Sequence, residues 1–271
     1  MSESLFVAVL VFYSAATVFY LVFLLRSGAH IGKAAGWTLA AGFAVHFLFT
    51  VARYLEAGYT PITNMHESLS FFSLATVGAF LALARKYRVA VLGSFVTPLA
   101  LILMLGSASF PSMIVPLNPA LKSGWLGIHT IIAFGGYAAF AIACCAGIMY
   151  LLQDRYLKKK KLGVLYRRLP SLDTLDEINY RCLSLGFPLL TIAIISGAIW
   201  AESAWGAYWS WDPKETWSLI TWFIYAALLH GRLTTGWRGR KAAILAIAGF
   251  GVLLFTFIGV NLWLPGLHSY R

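Results

Sequence analysis

Acidic residues are scarce in this chain. Its 271 residues carry 10 Asp and Glu against 21 Lys and Arg, and charged residues make up only 11%. An ordinary soluble domain carries about 25%. That shortage excludes the soluble class, and 60% hydrophobic residues with a mean hydropathy of +0.76 point to a bilayer instead. Cysteine is scarce too: there are three, Cys144, Cys145 and Cys182, and neither C-x-x-C nor C-x-x-C-H occurs. This excludes a c-type cytochrome and a dithiol oxidoreductase of that pattern. The three thiols read as small buried apolar residues. No basic n-region or small-residue cleavage site marks the N-terminus, so no cleaved signal is expected. No internal repeat is evident, which argues against a secondary transporter built from inverted halves.

What the chain has in quantity is long apolar runs. A spanning helix needs ~20 mainly apolar residues. Eight segments meet that need, roughly 4–25, 35–54, 67–84, 89–107, 124–152, 183–201, 213–231 and 242–263. The expected fold is all-α and polytopic, a single membrane domain over 1–271 with about eight transmembrane helices. Seventeen of the 21 Lys and Arg fall in every second connection. By the positive-inside rule those connections are cytoplasmic and both termini lie on the outer, periplasmic side. A net charge of +11 thus reports topology, and nucleic acid is not an expected partner. The one sizeable polar stretch, 153–182 with its Lys158–Lys161 run, reads as a cytoplasmic basic connector touching anionic lipid.

The outer loop at 202–217 stands apart. Four of the ten tryptophans, Trp205, Trp209, Trp211 and Trp217, lie within thirteen residues, with Tyr208 among them. Interfacial aromatic belts usually scatter over several helix ends. Rings gathered in one loop form instead a flat apolar platform for a planar ligand. Asp212, Pro213 and Glu215 form a helix start signal, with Asp at N-cap, Pro at N1 and Glu at N3. Such a helix N-terminus can hold an anionic group, with Lys214 assisting.

This segment, Trp-Gly-Ala-Tyr-Trp-Ser-Trp-Asp-Pro-Lys-Glu-Thr-Trp, resembles the tryptophan-rich "WWD" signature of the haem-handling proteins of cytochrome c biogenesis. Among them the chain is most similar to the CcsA (ResC) proteins of the two-component synthase system. The similarity runs over nearly the whole chain, through Arg53 to Phe71, Trp125 to Phe140, Ile195 to His230 and Gly259 to Tyr270. One departure is His66, which stands where Tyr is expected in N-x-Y-E-S, and it is given no ligand role.

Histidine imidazole is a standard axial ligand of haem iron. His129, at the outer start of the fifth helix, and His268, past the outer end of the eighth, share the depth of the aromatic loop. Two histidines on one iron need nitrogens ~4 Å apart, at Fe–N near ~2 Å, and matched depth allows that. The resemblance implies the same pair as outer haem ligands, with Trp205, Tyr208, Trp209, Trp211, Asp212, Lys214 and Trp217 as the haem platform. His230, at the inner end of the seventh helix, is the inner haem ligand that the resemblance suggests. His46, in the second helix, is a weaker candidate. It lies ~16 Å from the inner edge and His230 within ~2 Å, by a rise of ~1.5 Å per residue. The two therefore cannot share an iron, and the second inner ligand is expected from the partner. His30 reads as a solvated loop residue, and Arg53, Glu56 and Glu67 as pairing groups without chemistry.

What the resemblance implies is the membrane subunit of a two-protein cytochrome c synthase (haem lyase) in a bacterial inner membrane, its active face periplasmic, with a plastid thylakoid membrane as the alternative. It would carry haem b in transit and attach it to the C-x-x-C-H motif of apocytochromes c, beside a ResB/CcsB-like partner. Two alternatives stay open. A haem chaperone or exporter would bind haem without ligation, and a b-type electron carrier would retain its haem through turnover.

Overall fold

The computed structural model describes residues 2–26, 28–87, 89–114, 124–161, 163–264 and 266. Every regular element among them is helical. They are α1 (Ser2–Leu25), α2 (Ala29–Ala57), α3 (Met65–Tyr87), α4 (Gly93–Ala108) preceded by one 3₁₀ turn, α5 (Gly124–Lys158), α6 (Val164–Arg168), α7 (Leu172–Trp205), α8 (Pro213–Thr234), α9 (Arg240–Leu254) and α10 (Val260–Trp263). A π-helical turn at Phe255–Gly259 joins α9 to α10.

Seven helices among the described residues are long and apolar enough to cross a membrane: α1 to α5, α7, and the run Arg240–Trp263. The 22-residue α8 is not among them. It carries Lys214, Glu215 and Arg232, which lower its mean hydropathy. The polar stretch expected as a connector at 153–182 is largely helical. α5 continues to Lys158 and α7 begins at Leu172, with α6 between them. The ion pairs Lys158–Asp154 and Arg181–Glu177, each at i,i+4, support these polar extensions.

Residue contacts divide into two compact units, 1–114 with 151–175, and 115–150 with 176–271. In the first, α1 and α2 run antiparallel, the start of α1 bonding the end of α2 through Ser2 and Glu56. Small residues allow the close approaches: a Cβ at Gly42 would strike Phe12 and Tyr13, and one at Gly93 would strike the Tyr20 ring. Without water in the bilayer core, such packing and interhelical hydrogen bonds hold helices together. Ser94 donates to the Tyr20 carbonyl at 2.8 Å, and Ser73 to the Ala100 carbonyl at 2.8 Å.

The second unit packs α5, α7, α8 and α9 in the same way. Gly136 of α5 lies against backbone atoms of Gly186 and Leu190 of α7, so this small residue serves close packing. Asn179 donates to the Ala143 carbonyl at 2.9 Å. Phe140 and Tyr225 stack with centroids 3.6 Å apart, a contact of about 0.5–1.5 kcal/mol beyond its area burial. Trp222 donates from Nε1 to Thr191 at 2.8 Å, tying α8 to α7. Cys144, Cys145 and Cys182 are free and buried, in keeping with their apolar reading.

Candidate functional site

One end of the second unit holds the start of α5, the end of α7, the start of α8 and the end of α9. His129, Trp200, Tyr208, Trp209, Lys214 and Thr256 line a half-open cleft there, together with Tyr137, Gly197 and Glu215. Sequence reasoning matched His129 with the aromatic loop by depth, and the fold puts His129, Tyr208, Trp209 and Lys214 on one cavity. His129 leans on α7, with its Nδ1 2.7 Å from the Ala193 carbonyl. A carbonyl only accepts, so Nδ1 carries the proton and Nε2 of the neutral ring holds the lone pair. That is the tautomer a metal-ligating imidazole needs.

The aromatic loop is shaped rather than extended. Gly206 and Trp211 take left-handed backbone, φ 77° and 58°. For a residue as bulky as Trp this conformation is uncommon and strained. It leaves the Trp211 ring 69% exposed and edge-on to Trp209 at 5.8 Å. Tyr208 is 61% exposed. Exposed rings side by side mark a surface for an apolar ligand. The buried indole Nε1 of Trp209 has no hydrogen-bond partner among the described residues, so a ligand can accept from it. Trp217 faces elsewhere, against Phe255 at 4.5 Å where the π-turn begins. The side chain of Trp205, and all of His268, lie outside the described residues. Gly266, two residues before His268 in the chain, lies so near the Asp212 carboxylate that a Cβ there would clash with it.

The start of α8 is the capping box read from the sequence. Asp212 accepts from the Lys214 amide at 2.8 Å, and Glu215 accepts from the Asp212 amide at 3.2 Å. Glu215 also accepts from the Ser210 amide at 2.8 Å. These two carboxylates thus take the amides of Lys214, Asp212 and Ser210. The Lys214 ammonium is what the wall of the cleft offers an anion. Its Nζ donates to Asn261 Oδ1 at 3.0 Å, and Asn261 in turn donates to the Phe257 carbonyl within the π-turn. Losing a cap costs about 0.5–2 kcal/mol. Asp212→Ala is therefore expected to lower the thermal midpoint of the purified protein, while Asp212→Asn, still a good cap, should stay near wild type.

The residues present fit one edge of a haem. The cleft supplies an imidazole of the right tautomer, flat rings and a cation. The cavity volume is about 100 Å³.

A family model described as "Cytochrome C assembly protein" matches residues 2–268. The chain belongs to this cytochrome c assembly family. It is a CcsA-type cytochrome c biogenesis protein. The "Cytochrome c biogenesis protein CcsA" of Microcystis aeruginosa is 41% identical to it over 267 residues, covering 81% of each chain. That of Synechococcus elongatus is 39% identical over 264 residues, with 81% of each covered. That of Guillardia theta is 40% identical over 237 residues, covering 80% of this chain and 79% of its own. The solved structure of "Cytochrome c Heme Lyase CcmF" shares the fold, with a TM-score of 0.69 at 19% identity over 95% of this chain. The match spans 46% of the CcmF chain, somewhat under half its length.

Among the described residues, no other histidine of this CcsA-type chain lines the cleft. His230 is exposed near the far end of α8, sixteen residues beyond Lys214, or about 24 Å along a helix axis. Beside it Arg232 holds Asp176 through two charge-assisted bonds, and the Trp237 ring packs on Gly231. His46 belongs to the first unit and is fully buried. Its Nδ1 meets the Tyr13 hydroxyl at 3.0 Å and its Nε2 meets Ser70 at 2.8 Å. Iron could take it only by displacing one of these partners. His66 is buried against Phe6, its Nδ1 3.0 Å from the Ser107 carbonyl. His30 is exposed in the first turn of α2. Several cleft residues escaped the sequence reading: Tyr137, Ala193, Gly197, Glu215 as a wall residue and Thr256, as did Asn261, which holds Lys214. Asn261, a polar residue inside an apolar run, was the one detectable signal.

Proposed function

We propose that this protein handles haem b in transit and takes part in attaching it to the C-x-x-C-H motif of apocytochromes c, beside a ResB/CcsB-like membrane partner. The observation that carries this reading is the cleft. His129 stands there in the ligand tautomer among Trp200, Tyr208, Trp209 and Lys214.

In this reading His129 Nε2 and His268 are the two axial ligands on the outer face. Tyr208, Trp209 and Trp211 flank the ligand, with Trp205 and Trp217 completing the aromatic segment. Lys214 offers its charge to a propionate, and Asp212 holds the turn that aims these groups. Bound haem supplies two vinyl groups, and each cysteine thiol of C-x-x-C-H adds S–H across one of them. The chain's contribution is to hold, orient and present, which is catalysis by positioning. His268, on the terminal segment after Pro265 and Gly266, is the ligand that yields to the incoming histidine of the motif. His230 is the inner ligand, its second iron partner coming from the other protein. α8 is an eighth crossing, antiparallel to α7 and α9, so both termini face outward.

Co-expression with the partner and an apocytochrome, in a host lacking its own maturation system, tests this reading. The expected product is cytochrome whose haem resists acid–acetone extraction. Haem bound to the complex but never covalently transferred would favour the chaperone reading. Absence of haem from the complex would overturn both.

A further inference from the structure

We infer that the turn Ala193 to Gly197 of α7 is a positioning device that sets both the place and the basicity of the His129 imidazole. This rests on the reading of His129 as a haem ligand and adds three residues to it: Ala193, Ser196 and Gly197.

The carbonyl of Ala193 sits inside α7, where regular helix geometry commits it to the amide of residue 197. It takes two further donors. His129 Nδ1 approaches at 2.7 Å, and the Ser196 hydroxyl donates to the same oxygen at 3.1 Å. Ser196 is 7% exposed and Ala193 2%, so water competes little for this oxygen. The place of the imidazole is set by Gly197. A Cβ there would stand 2.8 Å from His129 Cε1 and 3.0 Å from Nδ1. Glycine is therefore what lets the ring lie against α7 and reach the carbonyl. A side chain at 197 would push the ring away and break the bond.

The same arrangement tunes the ligand. An acceptor on the distal N–H raises the basicity of a metal-bound imidazole. A more basic imidazole favours ferric over ferrous iron. Because Ser196 draws on the same oxygen, it weakens the His129 bond. The hydroxyl thus keeps the iron easier to reduce than the carbonyl alone would.

The test uses the chain purified with its membrane partner and loaded with haem. The readouts are the low-spin absorption band and the midpoint potential. Gly197→Ala should lose most of the low-spin band while its yield and monodispersity hold, since alanine favours a helix over glycine. Ser196→Ala should keep the band and move the midpoint to a more negative potential, and Ser196→Thr should restore the wild-type value. Wild-type band and midpoint in both Gly197→Ala and Ser196→Ala, with His129→Ala losing the band, would overturn the positioning role and leave the ligand reading standing. A full band in His129→Ala would overturn both.

Discussion

His129→Ala is expected to abolish the low-spin haem signal of the purified protein and to cut cytochrome c maturation by a hundredfold or more. A misplacement of ~1 Å at a reacting centre already costs about a hundredfold, and losing an axial ligand is a larger insult. His129 is the cleft's one imidazole among the described residues, so no neighbouring side chain there can restore a bis-imidazole, low-spin iron. The fold should survive. His129 sits near the start of α5, where its ring donates to the Ala193 carbonyl. The measurement is the absorption spectrum together with the level of covalent cytochrome c in cells. Added imidazole should partly restore both, because a free ligand can enter the hole the substitution leaves. Normal maturation by the variant would remove His129 from the account.

The second large effect belongs to the first unit and to stability. Arg53 and Glu67 form a buried ion pair at 3.0 Å, with the residues 4% and 2% exposed. Glu67 also accepts from the amide and hydroxyl of Thr63 at 3.1 and 3.0 Å, which ties the α2–α3 connection to the start of α3. Removing one partner of a buried pair strands the other charge and costs about 3–5 kcal/mol. Glu67→Leu should therefore sharply reduce the yield of monodisperse protein and its thermal midpoint in detergent. Arg53→Met combined with Glu67→Leu should recover much of the loss, because no unpaired charge then stays buried. A double variant as damaged as the single would locate the effect in the Thr63 bonds instead.

Much of this architecture was legible in the sequence because hydropathy and helix capping are local signals. The runs that became α1 to α5, α7 and α9 needed no tertiary information, and Asp212, Pro213 and Glu215 announced the start of α8. Helix lengths were less legible. Where α5 and α7 extend past their apolar runs, amphipathic turns with i,i+4 ion pairs carry no hydropathy signal. The run 213–231 was read as one of the eight apolar segments, yet α8 is not among the helices long and apolar enough to cross. At the site, His129 and the aromatic loop were visible as residue types at a common depth. Their neighbours were not. Gly197 matters because of what lies opposite it, and Ala193 acts through a backbone carbonyl that no side-chain pattern encodes.

The central claim is that two imidazoles, His129 and His268, hold haem at the outer aromatic cleft. The most direct test is the electron paramagnetic resonance spectrum of the ferric protein purified with its partner, compared between wild type and His268→Ala. The account predicts a low-spin signal from two axial imidazoles in the wild type and its conversion to a high-spin signal in the variant. An unchanged low-spin signal in His268→Ala would contradict it.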